Sequence, residues 1–521
     1  MRRTAVWLAL LGLTGCSVDG AGAGGSGSDA GGGSGEPTCT GTDVDDDGWI
    51  DEVEVAVGTS PSDAADTPPA RGLEVFVMPH HEMPTPASRD IVQAARLTRA
   101  DVGILLDTTG SMLGYTSRIQ MHLHTIMTSI SAEVDDVAFG AAGYGDFPPP
   151  TGLDSSNSWA DVPFYVVHRM MTARTTAGLA SLRSSLYFTG ILTGGLGPWF
   201  AVMRGGDEPE QGWEALRQAA TGVGVTFPVQ GGTRSVPPFS PTTVLPPTIP
   251  AGEEVGTLGG YGFRPDSVPV IVMITDTSNH QDTVIPTTPP IATRAVALQA
   301  LHDRGARVIG LTAWSPAGRA DLADVALQTN ARVPPTIWGT GAARPANCPL
   351  GSCCVSPNDP DYPGSVAVQP LPDSDGLCTL VFAGDKYNAN LATIIAQAVR
   401  ALAQGGMFEL SAAVRDDATD AIDVNDAFVE RVEAVADGAC AGSAVVDLDG
   451  DGFADQFPAG ISGAPACFRL VAKANQSVPP TDTAQVFAAT LQINGDGLAA
   501  FASKQVLFVV PTSSCGGPIF L

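Results

Sequence analysis

The sequence predicts a multidomain chain: a central α/β domain with a doubly wound parallel sheet, a small acidic-loop module before it, and a β-sandwich-like domain after it. Three observations lead there. Between residues 100 and 405, short continuously apolar runs alternate with segments of helical periodicity, the order that buries a parallel sheet under helices. From residue 406, strand-type runs follow one another separated by turn signals. Two acidic stretches place carboxylates at alternate positions around glycines, the spacing of a loop that wraps a hard cation.

Composition narrows the function classes. The chain has 521 residues, 55 acidic against 27 basic, and a formal net charge of -28. Nothing in it could neutralise a run of phosphates, which argues against nucleic acid and against electrostatic attachment to anionic lipid. Apolar residues make up 44 %, enough for real cores, so the chain is not disordered overall.

In chain order, Met1-Arg2-Arg3 is a positive n-region and Ala5–Leu13 an apolar run. That run is too short to span a bilayer, which takes ~20 residues, so 1–15 reads as a cleaved export signal. Leu13-Thr14-Gly15-Cys16 resembles the lipobox of bacterial lipoproteins. The resemblance implies lipidation at Cys16, and Ser17 in place of Asp implies the outer membrane. Residues 16–36 form a Gly/Ser-rich tether of flexible coil, reaching roughly 25 Å. Of nine cysteines, eight remain beyond Cys16, an even number that reads as disulfides in an exported chain. Cys440 is expected with Cys467, and Cys378 with one of Cys348, Cys353 or Cys354.

The acidic module, 37–70, centres on residues 43–54. Counting Asp43 as position one, carboxylates fall at Asp43, Asp45, Asp47 and Asp51. Gly48 stands at position six, Trp49 offers its carbonyl at seven, and Glu54 closes at twelve, which is the EF-hand ligand pattern for Ca²⁺. No second long helix follows, and the continuation resembles the thrombospondin type 3 calcium repeat. That resemblance implies a calcium-stiffened spacer. A second loop, Asp447, Asp449, Asp451 and Asp455, has the same spacing but Pro458 at position twelve, and is expected to bind Ca²⁺ more weakly.

After a connecting strand segment, 71–99, the central domain opens with the apolar strand 101–106. Ile119, Leu123, Ile126, Met127 and Ile130 then recur at helical spacing. Strands are expected at 137–144, 164–167, 268–275 and 307–311, and helices at 212–221, 292–304, 319–330 and 391–404. In such a sheet, ligands bind at the carboxyl ends of the strands. There the chain carries Asp107-Thr108-Thr109-Gly110-Ser111, a carboxylate with hydroxyls at +2 and +4 that can point three oxygens at one cation.

This motif resembles the metal-ion-dependent adhesion site (MIDAS) of von Willebrand factor type A domains, a Rossmann-like fold. Asp276, in Ile274-Thr275-Asp276-Thr277, matches that family's closing aspartate. Gly143-Tyr144-Gly145-Asp146 and Gly205-Gly206-Asp207-Glu208-Pro209-Glu210 are similar to signatures of some of its branches. The resemblance covers about 100–405 and implies a divalent cation, Mg²⁺ or else Mn²⁺ or Ca²⁺, on Asp107, Thr109, Ser111, Asp207 and Asp276. Asp207 stands where adhesive members carry Thr, and a third carboxylate would weaken the metal's pull on an acidic ligand. If Asp207 points away, Thr172 or another hydroxyl would complete the shell. Two Pro/Gly-rich stretches, 229–265 and 340–377, are expected to shape the ligand surface.

Residues 406–521 carry five strand-type runs, and Leu73–Pro79 is a candidate extra strand that would make the central domain an insertion. No GxSxG elbow, HExxH helix or P-loop occurs. His80, His81, His122 and His124 read as loop or packing residues, and His280, near Asp276, as a loop residue or else one at the edge of the metal site. The sequence therefore reads as an outer-membrane lipoprotein that is not an enzyme and that binds a protein or cell-surface ligand through a divalent metal. The alternative is an envelope scaffold in which the metals are purely structural.

Overall fold

The structure is a computed structural model describing residues 42–112, 122, 124–148, 161–186, 209–229, 231–242, 246, 248–281, 285–312, 316–340, 344, 348–355, 370–383 and 391–512. The export signal, Cys16, the tether, Cys39, Cys515 and Asp207 lie outside them. It is a mixed α/β molecule with several sheets.

A six-stranded sheet runs in the order Val381–Ala383, Arg307–Thr312, Val268–Thr275, Arg99–Asp107, Asp136–Tyr144, Tyr165–Thr172. The first five strands are parallel to their neighbours and the last is antiparallel. The strands read as unbroken apolar runs because both faces are covered: every residue of Val268–Thr275 is buried. The chain leaves Arg99–Asp107 toward one edge and later returns to its other side. Strand order therefore reverses there, which is where open α/β sheets form ligand crevices.

Local signals explain the helices. Arg294–Arg304 starts behind Thr293, whose hydroxyl accepts from the Val296 N–H, and ends at Gly305 with φ 63°. Gly212–Thr221 packs against it and stops at Gly222, φ 64°. The helix Leu391–Gly405 leads out of the six-stranded sheet into Met407–Asp416.

Residues 71–99 carry two strands, not one. Glu74–Val77 pairs in parallel with Val506–Val509, at the edge of a five-stranded sheet completed by Gln485–Gly495, Met407–Asp416 and Gln456–Ile461. Ser88–Ala94 pairs antiparallel with Pro465–Ala472 in a three-stranded sheet with Val429–Ala434. The two sheets meet through Phe428, 5.4 Å from Phe508 and 5.6 Å from Phe487, and through Phe457 set edge-on to Phe468 at 5.4 Å. One hydrophobic cluster runs from these sheets into the six-stranded one. At the junction the buried Arg307 donates to the Thr329 and Met407 carbonyls and pairs with Asp496.

The disulfides include both expected pairings, Cys440–Cys467 and Cys353–Cys378, and add Cys348–Cys354. The stretch 229–265 departs from its expected role at the ligand face. Tyr261 is fully buried over Gly103 and Gly140 of adjacent strands, where a Cβ would lie 3.0 Å from its ring, and its hydroxyl donates to the Ile104 carbonyl at 2.9 Å. Arg264 donates to Asp101 at 2.7 Å and to Asp136 at 2.8 Å, near the amino ends of the strands. These residues thus serve the core at the end away from the strand tips.

Candidate metal centre

The strand Arg99–Asp107 delivers Asp107, with no exposed surface, to the carboxyl edge of the sheet. The turn after it folds back onto the carboxylate. Oδ1 accepts from the Thr109 N–H at 3.0 Å and the Thr109 hydroxyl at 2.7 Å, and Oδ2 accepts from the Thr275 hydroxyl at 2.8 Å. The string continues from Thr109 Oγ1 to Ser111 Oγ at 3.4 Å, and Ser111 donates to Asp276 Oδ1 at 3.1 Å. Neighbouring oxygens around an octahedral Mg²⁺ at ~2.1 Å are about 3 Å apart. The spacings of Asp107, Thr109, Ser111 and Asp276 fit that ion. Ser111 is exposed and Asp276 half-buried, so the set runs from a buried floor to an open rim.

The flanking turns are tied to this floor. Thr108 donates through both its N–H and its hydroxyl to the Tyr144 carbonyl, each at 2.9 Å. Gly143 leaves room for the Tyr165 ring, which would lie 2.4 Å from a Cβ there. Beyond Asp276, the loop pairs with Glu210: the Glu210 N–H donates to Ser278 at 3.0 Å and the His280 N–H to Glu210 at 2.9 Å. Asp321 accepts from the Asn279 N–H at 2.6 Å.

Asp146, Asp161 and Glu210 are buried beside the set, and sequence reasoning missed them as site residues. Burial pushes the Asp107 carboxyl up to about 6, against its hydrogen bonds from Thr109 and Thr275 and with a further push from Asp276. Burial, then the charges of Asp146 and Asp107, push Glu210 up to about 10. Glu210 is 3 % exposed and its Oε2 has no hydrogen-bond partner. A buried acidic floor of this kind favours protons or a cation. The signal for it in the sequence is that Asp146 and Glu210 close the signature-like runs 143–146 and 205–210.

Thr172 is a correction. It lies opposite Ala138, at the other end of the Asp136–Tyr144 strand, and its hydroxyl donates to Glu253 at 2.7 Å. It belongs to the amino-end network and cannot reach Asp107. His280 approaches Asp146, Nε2 to Oδ1 3.6 Å, while His81 lies 3.0 Å from Gln476 and His124 3.5 Å from Thr128.

The two acidic loops share one backbone design. In the first, the N–H of Gly48 donates to Asp43 at 2.9 Å, that of Trp49 to Asp47 at 2.8 Å, and that of Val44 to Asp51 at 2.9 Å. In the second, Gly452 donates to Asp447 at 2.9 Å, Phe453 to Asp451 at 2.8 Å, and Leu448 to Asp455 at 2.6 Å. Positions four and six have positive φ in both: Asp46 58° and Gly48 91°, Gly450 79° and Gly452 95°. Ligand oxygens of Asp43, Asp45 and Asp47 converge, as do those of Asp447, Asp449 and Asp455. The first loop alone buries its position twelve. Glu54 has no exposed surface, its Oε2 lacks a partner, and both Asp45 oxygens and Asp47 Oδ2 are likewise buried and unpartnered. Burial and then the charges of Asp47 and Asp45 raise the Glu54 carboxyl above its ordinary range. These orphaned oxygens fit a hard cation ringed by oxygen.

No protein-family model matches the chain, and no curated protein matches it. Among solved structures it is similar to a von Willebrand factor type A protein from Catenulispora acidiphila, at TM-score 0.33 and 9 % identity, covering 85 % of this chain and 73 % of that one. It is also similar to proximal thread matrix protein 1 of the mussel byssus, at TM-score 0.31 and 9 % identity, over 63 % of this chain and 50 % of that one. The third is the pilus adhesin SpaC of Lactobacillus rhamnosus GG in its open conformation, at TM-score 0.27 and 12 % identity, over 83 % of this chain and 46 % of that one. The chain thus spans half or less of the latter two.

Proposed function

We propose that the protein is a lipid-anchored envelope adhesin whose central sheet is a doubly wound von Willebrand factor type A-like domain. On this reading it binds a protein or cell-surface ligand through a divalent cation, Mg²⁺ or else Mn²⁺ or Ca²⁺. Cys16 carries the anchor at the outer membrane, and the tether lifts the rest clear of it. Asp107, Thr109, Ser111 and Asp276 hold the ion, Asp207 adds a ligand, and an oxygen of the bound partner completes the shell. The carrying observation is the oxygen string from buried Asp107 to exposed Ser111, placed where strand order reverses. The two acidic loops hold Ca²⁺ and stabilise the fold.

The test is capture from envelope extracts on the immobilised protein, with Mg²⁺ or with EDTA, using wild type and Asp107→Ala. Partners retained only by wild type with Mg²⁺ support the reading. A folded Asp107→Ala that captures the same partners replaces it with the scaffold reading. That second reading is favoured by the first acidic loop, whose helix is packed into the molecule.

A further inference from the structure

The helix Asp51–Val57 covers a sheet. Along Glu74–Val77 and Ala499–Val510 the side chains alternate: Phe76, Val506, Phe508 and Val510 enter the main core. Val75, Val77, Leu507 and Val509 point the other way and form a separate cluster with Val53 of the helix. Glu52 fastens the helix further, accepting from the Thr512 N–H at 2.6 Å and its hydroxyl at 3.2 Å. Arg89 lies over the Trp49 ring at 5.6 Å and donates to the Val75 carbonyl at 3.2 Å, so loop and edge strand share one clamp. Yet the helix has seven residues, too few to hold together alone. Its first turn carries Asp51 and Glu54, two of the loop's carboxylates, and Glu54 Oε2 is fully buried without a partner.

We propose that Ca²⁺ in the Asp43–Glu54 loop latches this helix onto the five-stranded sheet, so that the cation controls whether Val75, Val77, Leu507 and Val509 are covered. The inference rests on the calcium reading of that loop. Without the ion, Asp45, Asp47 and Glu54 repel one another across the helix start and work against its first turn. With the ion, the same groups bind a common centre and the turn is pinned. Release leaves the edge strand Glu74–Val77 with one bare apolar face. The loop is then a calcium-operated cover, not a free spacer.

The test uses the full chain carrying Asp447→Asn, which silences the second loop. Terbium luminescence sensitised by Trp49, and its displacement by Ca²⁺, reports loading of the first loop; hydrogen exchange reports the cover. Passing from EGTA to Ca²⁺, with Mg²⁺ present throughout, should slow exchange of residues 74–77 and 506–509 by about tenfold or more, with the helix 294–304 unchanged. Adding Glu54→Gln should abolish both loading and slowing while 294–304 stays protected. Loading without slowing overturns the cover and leaves the calcium reading standing. Absence of terbium and Ca²⁺ binding overturns both, and slowing that survives Glu54→Gln overturns the cover.

Discussion

Asp107 shows how one residue sets a pH response. Its carboxyl is raised to about 6 by burial, above the ordinary value of ~3.9 in an unfolded chain. Between those values the folded state binds more protons than the unfolded one. In EDTA its contribution to stability is therefore highest at low pH and is lost as pH rises through about 6, by roughly 3 kcal/mol. Asp107→Asn should remove that share of the slope, leaving the share that Glu210 adds up to about pH 10, and at pH 7 the metal-free variant should resist urea better than wild type. Mg²⁺ binding needs the ionised carboxylate, so below about pH 6 wild-type affinity should fall about tenfold per pH unit in titration calorimetry. Gly143→Ala drives a Cβ to 2.4 Å from the Tyr165 ring. Thermal unfolding should show a loss of about 1–3 kcal/mol. Asp107, Thr109, Ser111 and Asp276 are legible in the sequence because each stands at a fixed offset from an apolar strand. Thr275, Asp146 and Glu210 are not. Acidic residues are ordinarily solvated, and burial of a carboxylate leaves no local pattern.

At the scale of elements, the acidic loops show spacing translated into backbone. A carboxylate at position one and glycine at six recur with matching hydrogen bonds some 400 residues apart. The difference lies at position twelve, a buried Glu54 in one loop and Pro458 in the other. Calorimetry of the full chain should therefore resolve two Ca²⁺ events, the second at least about tenfold weaker. Cys440 and Cys467 bracket the second loop, with a separation of 27 residues. Replacing both with Ser should cost about 3–4 kcal/mol in denaturant melts, and should weaken the second event further because the loop loses its frame. The strand runs themselves are legible from hydrophobic pattern. Their partners are not, since nothing local in Glu74–Val77 points to Val506–Val509.

For the whole molecule, those long-range pairings decide what can fold alone. Residues 406–512 lack Glu74–Val77 at one sheet edge and Ser88–Ala94 at another. A fragment of 406–512 should stay unstructured by circular dichroism, and a complementary fragment carrying 42–405 should restore its sheet signal. Glu74–Val77 lies within the candidate strand Leu73–Pro79, whereas Ser88–Ala94 escapes the sequence reading because chain order and spatial order diverge there. Ala94 and Pro465 pair across 370 intervening residues of sequence, a long-range contact that no local pattern announces.

That interleaving has a mechanical consequence. On the proposed reading, a pull from the amino-terminal side against a partner at Asp107 enters through Glu74–Val77 and Ser88–Ala94 before it reaches the strand Arg99–Asp107. Ser88–Ala94 is stitched to Pro465–Ala472 by seven consecutive residue pairs, and Glu74–Val77 runs alongside Val506–Val509 for four. Traction along these strands loads their ladders lengthwise, so many hydrogen bonds share the force and must fail together. The chain is thereby moored ahead of the strand Arg99–Asp107 by two paired seams, one in each of the smaller sheets.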